Sequence, residues 1–187
     1  MEYKLTRARR RTLSLRVTEE GLFVRAPLRL PVSEIERFIA AHENWIAKRF
    51  EEAEARKRAR AAFEAGTDPE ANARQTAEYK ARARLELPAR TQEWARVMGL
   101  APASVRVGSA RTRWGSCSAA GHIRLSWRLI LAEEDAIDYV IIHELAHLRQ
   151  LNHGKAFWEI VARYAPDYKA RRANLRALQR RLEIEGR

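Results

Sequence analysis

With 187 residues, 46% of them hydrophobic and five of them tryptophan, the chain can bury a core and is too apolar for a disordered segment. Its single cysteine excludes an internal disulfide, which suits a reducing cytoplasm. No apolar run approaches the ~20 residues of a membrane helix, and the start Met1-Glu-Tyr-Lys-Leu has no apolar signal core. A cytoplasmic protein without a membrane partner is expected. The formal net charge is +12 and the isoelectric point about 10.6, a balance that suits an anionic partner.

Residues 3–17 and 22–27 are expected to form a β-hairpin, with Leu13, Leu15 and Val17 alternating with polar residues and Glu20-Gly21 at the turn. Ser33 with Glu36 three residues on predicts a capped helix start. Ile35, Phe38, Ile39, Trp45 and Ile46 give that helix its packing face, and it continues as a solvated stretch to Ala65. Gly66-Thr-Asp-Pro69 is the clearest break, so the boundary falls between an N-terminal region, 1–66, and a second domain, 67–187. A long helix over about 70–98 should bury Tyr79, Leu85, Leu87, Trp94 and Val97, with Pro88 as a possible kink. A short strand at 105–107 and a second hairpin, Gly115–Ser118 with Gly121–Trp127, precede an apolar helix that begins near Glu133-Glu134-Asp135. Helices around 155–164 and 167–183 close the chain.

The apolar helix carries His143-Glu144-Leu-Ala-His147, with His153 six positions further on. Residues four apart share a helix face, so His143 and His147 can hold one metal ion with Glu144 beside it. Asn152 and Gly154 bracket His153 and are residues that tolerate left-handed backbone, so the chain can turn and bring that imidazole back. The short motif alone also fits a core helix with two satisfied histidines; the third histidine and the apolar flank favour a metal site. Three neutral nitrogen ligands with a free fourth position match catalytic Zn2+, which activates water at neutral pH while a neighbouring carboxylate, here Glu144, takes the proton. Ile137, Ile141, Leu145 and Leu148 lie away from the histidines, which makes this a central scaffold helix.

Five blocks together resemble the YgjP-like metallopeptidase family, akin to the SprT-like and WLM proteases within the zincin fold group. They are Arg113-Trp-Gly-Ser-Cys-Ser118, Ile123–Leu129, Asp138-Tyr-Val140, His143–Leu148 and His153-Gly-Lys-Ala-Phe-Trp158. The resemblance covers roughly residues 105–170. It implies an α+β zincin-like catalytic domain, with a small antiparallel sheet packed on a central zinc-binding helix, preceded by an N-terminal β-hairpin and helices. It also implies a zinc-dependent peptidase with His143, His147 and His153 as ligands and Glu144 as general base. In zincins the strand before the zinc helix binds substrate backbone by β-addition; this would assign His122, Ile123, Arg124 and Leu125 to a peptide or protein substrate, with Arg113 lining the cleft. Many relatives carry additional strands after the N-terminal helix, which this chain lacks.

Several assignments stay open in the sequence. Cys117 is a fourth ligand or a small packing residue. Glu159 can replace His153 as the third ligand. Asp138 either orients the site or solvates its helix. Tyr164, Tyr168 and Arg113 can each serve a developing oxyanion. Arginines cluster at 7–16, at 56–60 and along the last helix, at 171, 172, 176, 180 and 181. They fit either solvated helix faces or non-specific nucleic-acid binding. The latter supports a second reading, a basic nucleic-acid-associated protein whose zinc site is structural or vestigial. A zinc hydrolase of a non-peptide amide is a third.

Overall fold

A computed structural model of the chain describes residues 2–186. The chain divides into two compact units, one ending at Gly66 and the other starting at Thr67.

In the first unit, strands β1 (Tyr3–Ala8) and β2 (Ser14–Thr18) flank β3 (Gly21–Pro27). The expected hairpin is β2 with β3, antiparallel through a turn in which Gly21 takes a φ of +123°. The first half of the predicted strand instead separates as β1 and pairs parallel to the other edge of β3. Leu22, Val24 and Ala26 of β3 are buried against Ile35 and Ile39 of α1 (Val32–Ala41) and Ile46 of α2 (Glu43–Ala65). Helix α1 starts after Pro31 without a side-chain cap, so the predicted Ser33 capping box is not formed. The expected continuous helix breaks at His42, whose ring Nδ1 lies 2.8 Å from the Phe38 carbonyl oxygen.

The second unit opens with α3 (Pro69–Met98), capped by the Asp68 carboxylate, which accepts from the Glu70 N–H at 2.9 Å. Pro88 lies inside this helix. Its buried face is Ala83, Leu87, Thr91, Ala95 and Met98. Leu85 and Val97, expected inside, are 76% and 63% exposed. Small residues on the buried ridge let the helix backbone approach its neighbours closely. Strands β4 (Ser104–Gly108), β5 (Gly115–Cys117) and β6 (His122–Ser126) form a sheet of order β4-β6-β5. The α+β class is as expected, but the sheet is mixed rather than wholly antiparallel, because β4 runs parallel to β6.

A 3₁₀ turn (Trp127–Leu131) leads into α4 (Glu134–Ala146), which is buried nearly all round, with Ile137, Val140, Ile141, Ile142 and Leu145 in the core. A helix apolar on every side belongs in the middle of its domain, and α4 packs on α3, α5 (Lys155–Tyr164) and α6 (Tyr168–Ile184). Among the described residues no helix is long and apolar enough to cross a membrane.

Candidate metal centre and its cleft

His143 and Glu144 sit on the last turn of α4, and His147 follows as its C-terminal cap in helical conformation. Helical spacing therefore places the two histidines as expected. His153 arrives by a different route from the one anticipated. Among the described residues none but glycine has a positive φ, and Gly154 itself is extended, with φ −78° and ψ −176°. The turn is closed by the Gly154 N–H, which donates to the Asn152 carbonyl at 2.8 Å.

The ligand atoms of His143, His147 and His153 lie within 4.8 Å of one another, and the Nε2 atoms of His143 and His153 are 3.1 Å apart. Two imidazole nitrogens on one tetrahedral zinc are separated by about 3.3 Å, given bonds of about 2.0–2.1 Å, so the observed spacing fits such an ion. His147 Nδ1 lies 3.0 Å from the Gln150 carbonyl oxygen, which fixes the ring and leaves Nε2 for the centre. His143 Nδ1 is buried without a hydrogen-bond partner among the described residues. Phe157 is fully buried beneath all three rings, its centroid 4.9, 4.6 and 4.7 Å from those of His143, His147 and His153. Packing on one aromatic platform limits how far any of the imidazoles can tilt.

Burial sets the protonation of His143 and His147. It is the main cause that holds His143 down at about 3, and the neighbouring imidazoles of His147 and His153 add to it. His147 is lowered too, chiefly by burial. Neutral rings are the form a metal requires. Glu144 is only 6% exposed, and burial pushes its carboxyl up to about 7 against the opposing charge of Arg113. Such a carboxyl is poised to exchange a proton near neutrality.

Gly115 makes room for this carboxylate. A Cβ at that position would come within 2.6 Å of both Cγ and Oε1 of Glu144. The glycine thus brings the edge strand β5 against the acid. The two residues border a cleft of about 450 Å3 that also meets Trp114, Tyr139 and His143. The far wall is α6, which contributes Arg172, Arg176 and Arg180.

Other candidates fall elsewhere. Strand β6 is paired to β4 on one side and β5 on the other, so no free edge remains for substrate addition at His122, Ile123, Arg124 and Leu125. Ile123 and Leu125 are buried in the core, while His122 and Arg124 border a separate cleft of about 480 Å3 with Cys117. Cys117 is absent from the ligand cluster; its thiol lies 3.5 Å from the Ser118 carbonyl oxygen, and burial pushes its pKa up. Glu159 is also outside the cluster and pairs with Lys155 at 3.8 Å. Asp138 is mostly shielded from water. Its carboxylate accepts from Arg90 Nε at 2.5 Å and Nη2 at 3.0 Å, and from Trp94 Nε1 at 2.6 Å, tying α4 to α3. Tyr168 is stacked on Trp158 and Tyr139. Arg113 acts on the site through its charge.

Sequence reasoning passed over Tyr139, Gly115 and the α6 arginines as parts of the cleft. The repeat of Arg172, Arg176 and Arg180 at intervals of four was the signal available for the last group.

The YgjP-like metallopeptidase domain matches over residues 11–77 and 64–178. Two solved structures are similar to this chain. The metallopeptidase zymogen of Pyrococcus abyssi abylysin is 24% identical, covering 46% of this chain and 90% of that one, with a TM-score of 0.40. That of Methanocaldococcus jannaschii jannalysin is 19% identical, covering 50% and 95%, with a TM-score of 0.43. No curated protein matches. With most of its length matched by one family model, and a histidine cluster able to hold a metal ion, the chain belongs to the YgjP-like metallopeptidase family.

Proposed function

We propose that this metallopeptidase is zinc-dependent, with His143, His147 and His153 as its ligands and Glu144 as general base in peptide-bond hydrolysis. The observation that carries the reading is the convergence of three imidazoles beside one buried carboxylate that borders an open cleft. Zinc held by these residues supplies polarisation of the scissile carbonyl and activation of water. Glu144, with a pKa of about 7, accepts the proton of the attacking water and can return it to the leaving amine. Arg113 opposes the effect of burial on Glu144 and keeps a share of it ionised near neutrality.

The substrate main chain lies along β5 rather than β6. Strand β5 is the edge of its sheet and holds Gly115 against Glu144, so an extended peptide added there passes the carboxylate. Residues 1–66 form a separate N-terminal domain and 67–187 the catalytic one.

The test is cleavage of an unfolded protein by the zinc-loaded wild type and by Glu144→Gln, with zinc content measured on both, each with and without single-stranded DNA. Equal zinc with cleavage by the wild type alone supports the reading. Full zinc occupancy without cleavage by either protein would instead favour a zinc-binding protein with a structural or vestigial site.

A further inference from the structure

Helix α6 carries five arginines that fall into two groups. Arg171 pairs with Asp167 at 2.8 Å and lies 4.0 Å from Asp135, and Arg181 pairs with Glu185 at 3.4 Å. Arg172, Arg176 and Arg180 line the cleft beside His143 and Glu144, and among the described residues they have no ion pair or hydrogen bond. Acids thus accompany the arginines turned elsewhere and are missing from the three at the cleft. Of the residues lining that cleft, Glu144 is the sole carboxylate, and it is buried at the site itself.

We propose that Arg172, Arg176 and Arg180 select substrates with acidic side chains at alternate positions of an extended peptide. This rests on the peptidase reading given above. Residues four apart on a helix are offset by about 6 Å along its axis, and alternate side chains of an extended strand repeat at about 6.6 Å. Two carboxylates two residues apart can therefore meet two neighbouring arginines. Guanidinium groups bind carboxylates through paired N–H donors. The remaining wall, with Leu175, Val140 and Trp114, suits the apolar parts of a peptide. A volume of about 450 Å3 holds a few residues and no folded partner.

The experiment uses the full-length zinc-loaded protein and three peptides of one length. They carry two Glu, two Gln or two Lys at positions two apart. The expected result is a kcat/KM for the Glu peptide about tenfold above that for Gln, mostly in KM, and weaker at high salt. Arg176→Gln/Arg180→Gln should remove the ratio, and Arg176→Glu/Arg180→Glu should shift preference to the Lys peptide. Both positions are exposed, and circular dichroism checks that the variants fold. Binding of the same peptides to zinc-loaded Glu144→Gln, read by fluorescence anisotropy, separates selection from turnover. Arginine-dependent binding of the Glu peptide without cleavage by the wild type would sustain the acid selectivity and reject the peptidase reading. Equal cleavage of all three peptides would reject the selectivity and leave the peptidase reading intact. A single-stranded oligonucleotide that binds through these arginines more tightly than the Glu peptide would overturn the proposal in favour of a nucleic-acid contact.

Discussion

Gly115 on β5 and Glu144 on α4 are so close that a Cβ at 115 would lie 2.6 Å from the glutamate's Oε1 and Cγ. Both the edge strand and the carboxylate depend on that missing methyl group. Gly115→Ala must push Glu144 away from its position. Misplacement by about 1 Å costs roughly 100-fold in activity, and the overpacking costs about 1–3 kcal/mol in stability. The proposed ligands His143, His147 and His153 are untouched, so zinc content should stay at the wild-type level. Full activity in Gly115→Ala, measured beside its zinc content and melting temperature, would show that Glu144 need not stand where it does.

Glu144 also gives the metal-free protein a characteristic pH dependence. Its folded pKa of about 7 lies above its ordinary 4.5, so the folded state holds a proton that the unfolded state has released. Stability from this group is therefore present at low pH and lost as pH rises from about 4.5 through 7. His143 works the other way. Held near 3 against an ordinary 6.5, it contributes stability above 6.5 that is lost as pH falls. The two slopes oppose each other between about 4.5 and 6.5, so the variant, not the wild type alone, is informative. Metal-free Glu144→Gln should gain on the wild type as pH rises, by about 3 kcal/mol at most, with no further gain above pH 7. Urea titrations of both proteins at several pH values test this; a pH-independent difference would contradict it.

The legible parts of this protein were those governed by helical period. His143, Glu144 and His147 are placed by the 3.6-residue repeat, which needs no knowledge of the rest of the fold. Strand order has no such local signature. Alternation marked β6 as a strand, and its inward Ile123 and Leu125 are buried, but nothing in residues 122–126 says that β4 pairs parallel on one side while β5 takes the other. Helix α3 was misread because Leu85 and Val97 outweigh Ala83, Thr91 and Ala95 on any hydrophobicity scale, whereas close packing selects the small residues. Asp138 could not be resolved because its partners, Arg90 and Trp94, are more than forty residues away in sequence.

That distant triad anchors the helix that carries His143 and His147. Asp138 is 17% and Arg90 28% exposed in their side chains, so the pair is partly shielded from water. Asp138→Ala strips Trp94 Nε1 of its acceptor, leaves Arg90 only its longer bonds to the Glu134 carbonyl at 3.3 Å and carboxylate at 3.5 Å, and should destabilise the protein by about 1–3 kcal/mol. Asp138→Asn retains an oxygen for Trp94 and should lose less. Because α4 also carries His143 and His147, zinc affinity should fall modestly alongside. Calorimetric melting of the two variants checks the order, and equal, negligible losses would show that the triad does not hold α4.

Metal removal should expose how much of the second unit's stability comes from the site. A ligand that binds only the folded state adds about 2.7 kcal/mol when present at one hundred times its dissociation constant, so chelation should lower the melting temperature and added zinc restore it. His153 is the exposed member of the cluster and stands outside α4. His153→Ala should therefore keep the helix and the metal-free stability, while losing most of the zinc-dependent rise in melting temperature. Phe157→Leu should weaken zinc binding by a different route, since its ring is the surface on which all three imidazoles rest. Its metal-free form should also be less stable by about 1–2 kcal/mol, given its full burial. Melting curves with and without zinc distinguish the two. A zinc response in His153→Ala as large as in the wild type would mean that His153 is not a ligand.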